Sequence, residues 1–431
     1  MAQRIDLRRA DGEAALVRAT EIAHADEDDV REAVRAVIAD VRRDGFVAVQ
    51  AYTERFDGFR LDETAARLDP DALAAGAAAC APDVKAALER AAARIAAYHE
   101  KQRPEDALYT DEAGVNLGWR WTAVDAAGLY APGGRAAYPS SVLMNAIPAK
   151  VAGVARLTMV TPTPNGAPVP PAVAAAAAIA GVDEVFTVGG AQAIAALAFG
   201  AGPIAPVDVV VGPGNAYVAE AKRQVYGRVG VDSVAGPSEI LVIADAENDP
   251  AWIAADLMSQ AEHDPSSRSI LVTTDDAFAD AVTAAVEAHL AASPRREIAG
   301  ASWRENGVVV IVEDLAAAAA VSNRFAPEHL ELAVADPAAL AAKIRHAGAI
   351  FLGRHAPEAV GDYVAGPNHV LPTAGGARHA SGLSVLDFMK RSSLIGCDAA
   401  SLARIGPDAA TLADAEGLPS HAASVRVRLT K

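Results

Sequence analysis

Cysteine is nearly absent from this chain: Cys80 and Cys397 are the only two in 431 residues. That excludes a disulfide framework and a multi-cysteine zinc site, and it suits a reducing compartment. Positive charge is in deficit, with 38 lysines and arginines against 55 acids and a net charge of −17, so a general nucleic-acid binder is excluded. Long apolar runs are missing too. The longest, PAVAAAAAIAGV at 171–182, is too short and too alanine-rich to span a bilayer and reads as a buried helix. The opening MAQRIDLRRADGE has no apolar centre for a secretory signal. A soluble, cytoplasmic protein with no membrane partner is expected. Short signature motifs are also wanting. There is no HExxH and no CxxC, and Gly212-Pro213-Gly214-Asn215-Ala216-Tyr217 puts tyrosine at the third glycine position of a dinucleotide fingerprint.

What the chain does have is alternation. RLTMVTP, DEVFTVG and VDVVVG read as short strands, and the last two lead through small-residue loops into the helices GGAQAIAALAFG and PGNAYVAEAKRQVYG. A second series runs SEILVIAD, a helix around 252–261, SILVTTD, the helix AFADAVTAAVEAHLAA and the strand VVVIVED. Repeated strand–loop–helix units imply parallel sheets covered by helices. Two series imply two doubly wound α/β domains with a cleft between them. Upstream, DEDDVREAVRAVIADVRRDG reads as a helix with Asp26, Glu27, Asp28 and Asp29 as cap and N-terminal charge. Val30, Val34, Val37, Ile38 and Val41 form its apolar stripe and Gly45 its stop. A helix pair is expected from Pro70 to Tyr98, and the last 50 residues lose the rhythm and read as an appended tail.

Several stretches carry chemistry. SQAEHD at 259–264 sets Gln260 and His263 three residues apart, on one face if helical, which makes half of a metal site. Asp362 and His369 lie in the Gly/Pro-rich VGDYVAGPNHVLPT, and Glu416 and His421 in EGLPSHAASV of the tail. Gln260, His263, Asp362 and His421 form a mixed N/O set of the kind zinc accepts, and spacing leaves open whether they converge. Ser238 and Glu239 stand at the mouth of a strand, as a polar turn cap or as a site lining. Glu328 and His329 follow a proline in NRFAPEHLEL. There an acid and an imidazole can share proton transfer, or simply sit exposed at a helix start. The helix behind Gly212–Asn215 can hold a pyrophosphate at its N-terminus or serve as a plain turn.

Together the segments YAPGGRAAYPSSVLMNAIPAKVAGV, VGGAQAIAALAFG, VGPGNAYVAEAKRQV, AGPSEILVIAD, SQAEHDP, FAPEHLEL, VGDYVAGPNHVLPT, SGLSVLDFMKRSS and EGLPSHAASV make the chain resemble the histidinol dehydrogenase family. The resemblance implies a homodimeric oxidoreductase of the last step of histidine biosynthesis. It would take L-histidinol through L-histidinal to L-histidine with two NAD in succession. One zinc ion per site would be held by Gln260, His263, Asp362 and His421, which also surround the substrate. Glu328 and His329 would be the catalytic pair, with Ser238, His329, His369 and Glu416 as further substrate contacts. Tyr130, Gln192 and Asn215 would contact NAD. The implied fold is two incomplete Rossmann-like domains. One is 130–237, contacting NAD; the other joins 26–129 to 238–381 and carries most of the zinc and catalytic site. An N-terminal helical arm, 1–25, and a C-terminal helical tail, 382–431, exchanged across the dimer, complete it. Phe199 stands where the family has tyrosine, at a packing position. A zinc hydrolase, with Glu328 activating a metal-bound water, and a non-enzymatic nucleotide-binding scaffold are the alternatives.

Overall fold

In the computed structural model, residues 2–21, 27–133, 137–233 and 236–429 are described, and Asp26, the first expected cap, lies outside them. Strand β1 (Gln3–Asp6) and helix α1 (Gly12–Thr20) come first, then α2 (Glu27–Asp44), α3 (Phe46–Asp57), α4 (Pro70–Ala78) and α5 (Pro82–Glu100). Next come β2 (Ala107–Thr110) and β3 (Asn116–Ala123). The first alternating series is β4 (Ala126–Tyr130), α6 (Pro139–Ala152), β5 (Arg156–Val160), α7 (Pro171–Ala180), β6 (Glu184–Phe186), α8 (Gly190–Phe199), β7 (Val209–Val211), α9 (Ala216–Val225) and β8 (Gly230–Val231). The second begins with β9 (Glu239–Ala244), α10 (Pro250–Ala261), β10 (Arg268–Thr273), α11 (Asp276–Ala292) and α12 (Arg296–Asn306). It goes on through β11 (Val308–Ile311), α13 (Leu315–Phe325), β12 (His329–Ala333), α14 (Pro337–Ala341), β13 (Ala349–Leu352) and α15 (Glu358–Tyr363). The tail holds β14 (Met389–Gly396), α16 (Ala399–Ala415) and α17 (Pro419–Leu429). Among the described residues no helix is long and apolar enough to cross a membrane.

Both series form parallel sheets, ordered β6-β5-β4-β7-β8 and β1-β11-β10-β9-β12-β13. Strands buried on both faces carry near-continuous apolar runs, and successive side chains serve opposite cores. In the six-stranded sheet Leu241, Ile243, Leu330 and Leu332 pack towards α1 and α13, while Ile240, Val242 and Ala333 pack towards α10, α11 and α12. The two doubly wound α/β units expected from the sequence are present.

Three expectations about the flanks are corrected. Residues 1–25 are not merely a helical arm. Residues 3–6 pair in parallel with β11 as the sheet's edge strand, and Ile5 is buried with Leu16 of α1 in the core. Residues 27–100, expected with 238–381, pack mainly on the five-stranded sheet instead, α2 and α3 over one face and α4 and α5 over the other, while Arg94 of α5 also bonds the carbonyls of Val364 and Ala365. Their apolar stripes have a sheet face to bury there. Val34, Val37, Ile38 and Val41 of α2 meet Leu197 of α8 and Val218 of α9 in that core. Finally, the tail is not wholly helical, because β14 pairs antiparallel with β3 in a separate three-stranded sheet, β14-β3-β2. Phe199, at the end of α8, packs against the core and lies under the Arg42 guanidinium, 5.0 Å from its ring centre.

Candidate active site

The turn before β12 sets the chemistry. Helix α13 ends at Phe325, Ala326 takes the left-handed conformation at φ 51°, and Pro327 cannot continue a helix. The chain then enters the sheet between β9 and β13, where ladder partners wait on both sides. Glu328 and His329 are therefore not an exposed pair at a helix start. They open a central strand and are 6% and 4% exposed.

One residue of the neighbouring strand holds both of them. The N–H of Glu239 donates to Glu328 Oε2 at 2.9 Å, and the Glu239 carbonyl lies 3.1 Å from His329 Nδ1. A carbonyl can only accept, so Nδ1 carries the proton in that bond and the neutral ring leaves Nε2 as its free base. Nε2 has no hydrogen-bond partner and faces Asp362 Oδ1 at 3.7 Å. Glu358 Oε1 and Glu328 Oε2 approach Nδ1 to 3.7 and 3.8 Å. Burial works against a charged His329, but the charges of Glu358, Glu328 and Asp362 outweigh it and raise its pKa well above the usual imidazole value. Burial pushes the Glu328 carboxyl up to about 8, with the His329 charge opposing. Glu239 is pushed to about 7, against the pull of Arg268 at 3.9 Å. Glu358 is likewise raised by burial, to about 7.

The expected metal ligands fall into two groups. Gln260 lies in the last turn of α10, a helix begun by Pro250 behind the Asp249 cap. Its side chain is buried at 1% exposure, and neither amide atom has a hydrogen-bond partner. An unpartnered buried amide is costly unless something not yet in place satisfies it. His263 lies on the turn just beyond, close enough to feel the charge of Asp362. Asp362 sits in α15. The carbonyl of Asp362 is 2.9 Å from His369 Nδ1, and His369 Nε2 is 3.4 Å from the Ser141 hydroxyl. His329, Glu358 and Asp362 each offer a ligand atom, all within 4.8 Å of one another. Ser238 immediately precedes β9, half-buried, with its carbonyl bonded to the N–H of Arg268. Glu416 and His421 do not join this cluster within the chain. Both are exposed, Glu416 as the C-cap of α16 and His421 on α17, two helices that pack chiefly on each other.

The second constellation lies at the five-stranded sheet. Its order reverses at β4: β5 and β6 lie on one side, β7 and β8 on the other. A crevice at the carboxyl ends of such strands is where open α/β sheets take ligands. Tyr130 ends β4. Its hydroxyl accepts the N–H of Gly190 at 3.2 Å, and burial pushes its pKa up to about 12. Gln192, in the first turn of α8, is buried with both amide atoms unpartnered. Asn215 is exposed and caps α9, accepting the N–H groups of Tyr217 and Val218 at 3.1 Å each. Ahead of it Gly212 takes φ +115°, where a Cβ would stand 2.2 Å from the Tyr130 carbonyl. The Gly212 N–H donates to Asp232 and its carbonyl accepts from Lys222, two buried residues paired to each other.

Sequence reasoning missed Glu358, Asp256, Glu331, Arg268 and the Lys222–Asp232 pair. For Glu358 a signal was available, since it stands four residues before Asp362 and so shares its helix face.

The family model described as histidinol dehydrogenase matches residues 20–429. The chain is 58% identical over 431 residues to the histidinol dehydrogenase of Ruegeria pomeroyi, spanning 100% of this chain and 99% of that one. It is 60% identical over 404 residues to that of Rhodospirillum rubrum, spanning 94% and 93%. A crystal structure of histidinol dehydrogenase from Elizabethkingia anophelis is similar at a TM-score of 0.94 and 34% identity, covering 100% of this chain and 98% of that one.

Proposed function

The chain belongs to the histidinol dehydrogenase family, and on that premise we propose that it oxidises L-histidinol to L-histidine in two NAD-dependent steps through L-histidinal, at a site with one zinc ion. The observation that carries the chemistry is the pair held by Glu239: a histidine whose Nε2 has no hydrogen-bond partner, beside an acid whose carboxyl burial pushes up to about 8. A dehydrogenase needs a base where the alcohol proton leaves, and a second oxidation needs a group that activates water.

His329 Nε2 takes the hydroxyl proton as the carbon gives up its hydride. Glu328 then removes a proton from the water that adds to the aldehyde. Its Oε2 is tied to the Glu239 N–H, which leaves the other oxygen for water. Once its first proton has passed to solvent, His329 takes another as the hydrated aldehyde loses its hydride and becomes the acid. Tyr130, Gln192 and Asn215 would hold NAD in the crevice at the five-stranded sheet, where it would supply the hydride acceptor for both oxidations. Gln260, His263 and Asp362 fit a zinc ion, since the unpartnered amide of Gln260 gains a ligand and the carboxylate supplies charge. Held there, a zinc ion would supply a positive charge that orients substrate and offsets the negative field favouring imidazolium at His329. Ser238 and His369 line the substrate pocket. Glu416 and His421 serve the site of a second copy, a reading supported by their exposure and by the exposed apolar Leu412 on α16.

Zinc content of the purified protein and NADH absorbance with L-histidinol test this reading. His329→Asn should slow both oxidations by about 10²-fold or more. Full activity in that variant, or no NADH from the parent protein, removes it.

A further inference from the structure

The strand and helices that carry Gln260, His329 and Asp362 also carry acids that the mechanism does not use. Glu331 is two residues after His329 on β12, so both side chains leave the same face of the sheet, the one covered by α10. Asp256 is one helical turn before Gln260 on α10, and Glu358 one turn before Asp362 on α15. These three acids adjoin one another. The Asp256 carboxyl faces that of Glu331 closely enough for the two to influence each other's ionisation, and Glu331 Oε1 accepts the N–H of Glu358 at 2.6 Å. The Ser259 hydroxyl of α10 adds a longer contact, 3.4 Å, to Glu358 Oε2. Glu331 is 3% exposed, which is rare for a carboxylate in the middle of a central strand.

We propose that Asp256 and Glu331 are positioning residues: a carboxyl–carboxyl pair sharing one proton that joins α10, β12 and α15 and holds Gln260, His329 and Asp362 in register. Two facing carboxyls, Glu331 buried and Asp256 half-buried, resist ionising together, so one keeps its proton and donates it to the other. Burial raises both in keeping with this, Asp256 to about 6 and Glu331 well above the usual carboxylate range. Such a pair is directional, unlike apolar packing. It fixes the sliding of α10 and α15 along the strand, and so the spacing of the groups one turn above. An apolar contact would leave that sliding free.

The inference rests on the zinc reading of Gln260 and Asp362, and its test separates the two. Zinc affinity is measured by chelator competition in Glu331→Leu, Asp256→Ala, Glu331→Gln and Gln260→Ala, each checked for native circular dichroism. Amide exchange over 358–363 is followed in the zinc-free proteins. Outer groups that orient metal ligands typically influence affinity by about 10–100-fold. Glu331→Leu should therefore weaken zinc by at least about 10-fold and speed exchange in α15. Asp256→Ala should do the same to zinc if the first variant does not fold. Glu331→Gln should restore affinity to within about 3-fold of the parent, because its amide can donate to Asp256 and its oxygen can accept from Glu358. A merely structural residue would lower the unfolding midpoint and leave the affinity of folded protein unchanged. Parental affinity in folded Glu331→Leu, alongside loss in Gln260→Ala, overturns the inference. Retention of zinc by Gln260→Ala sinks the zinc reading instead, and the exchange of α15 then decides the carboxyl pair by itself.

Discussion

Replacing Glu328 by glutamine separates a titration from a shape. The side chain is buried and its Oε2 accepts the N–H of Glu239 at 2.9 Å, a bond that a glutamine oxygen keeps. What glutamine cannot do is ionise. Burial raises the carboxyl from 4.5 to about 8 on folding, against the opposing charge of His329. A carboxyl raised in this way contributes stability that is complete below its unfolded value and is lost as pH rises through its folded value. The window therefore runs from 4.5 up through about 8. At about 1.4 kcal/mol per pH unit that interval is worth roughly 5 kcal/mol at most, and sharing of the field with His329 brings the expectation to roughly 3–5 kcal/mol.

Urea denaturation of the zinc-free protein across that window reads the effect. Near pH ~5 Glu328→Gln should match the parent, because it mimics the protonated acid. Near pH ~9 it should be the more stable protein by roughly 3–5 kcal/mol. A constant offset between the two curves at every pH would refute the reasoning. The same variant should lose aldehyde oxidation more severely than alcohol oxidation, since only the former needs an activated water.

Lys222→Met strips the buried Asp232 of its partner and the Gly212 carbonyl of its donor, so it should cost about 3–5 kcal/mol in urea unfolding. A loss under about 1 kcal/mol would mean that the pair is not desolvated in solution. If the tail serves a second copy's site, as proposed, mixed dimers of His421→Ala with Asp362→Ala should regain activity that neither parent has, because one site then carries both lesions and the other neither. Mixed dimers as inactive as their parents would place His421 in its own chain's site or in none. Cys80 is buried in the apolar core and Cys397 is exposed. Cys80→Ala with Cys397→Ala should keep most activity; selective loss of aldehyde oxidation in folded protein would point to a thiohemiacetal route instead.

The alternation of short apolar runs with helical stripes determined the two doubly wound units by itself. A parallel strand buried on both faces and a helix buried on one leave different periodicities, and both are local. The types of chemistry were legible for the same reason: glutamine, histidine and carboxylate in SQAEHD and VGDY, and the acid–imidazole pair in APEHLEL, are readable as donors wherever they end up. Their surroundings were not. That residues 3–6 complete a sheet edge, and that β14 returns to β3, depends on hydrogen bonds between segments hundreds of residues apart. No local pattern encodes such pairing. Burial of Glu328 and His329 came from the central place of β12 between β9 and β13. Only that placement tied His329 to the Glu239 carbonyl and moved the Glu328 carboxyl to about 8. The cluster of Asp256, Glu331 and Glu358 existed in sequence only as spacings of four and two from better-marked residues. Tertiary packing made it a cluster, because a buried carboxyl acquires meaning from the groups that desolvate it and share its proton.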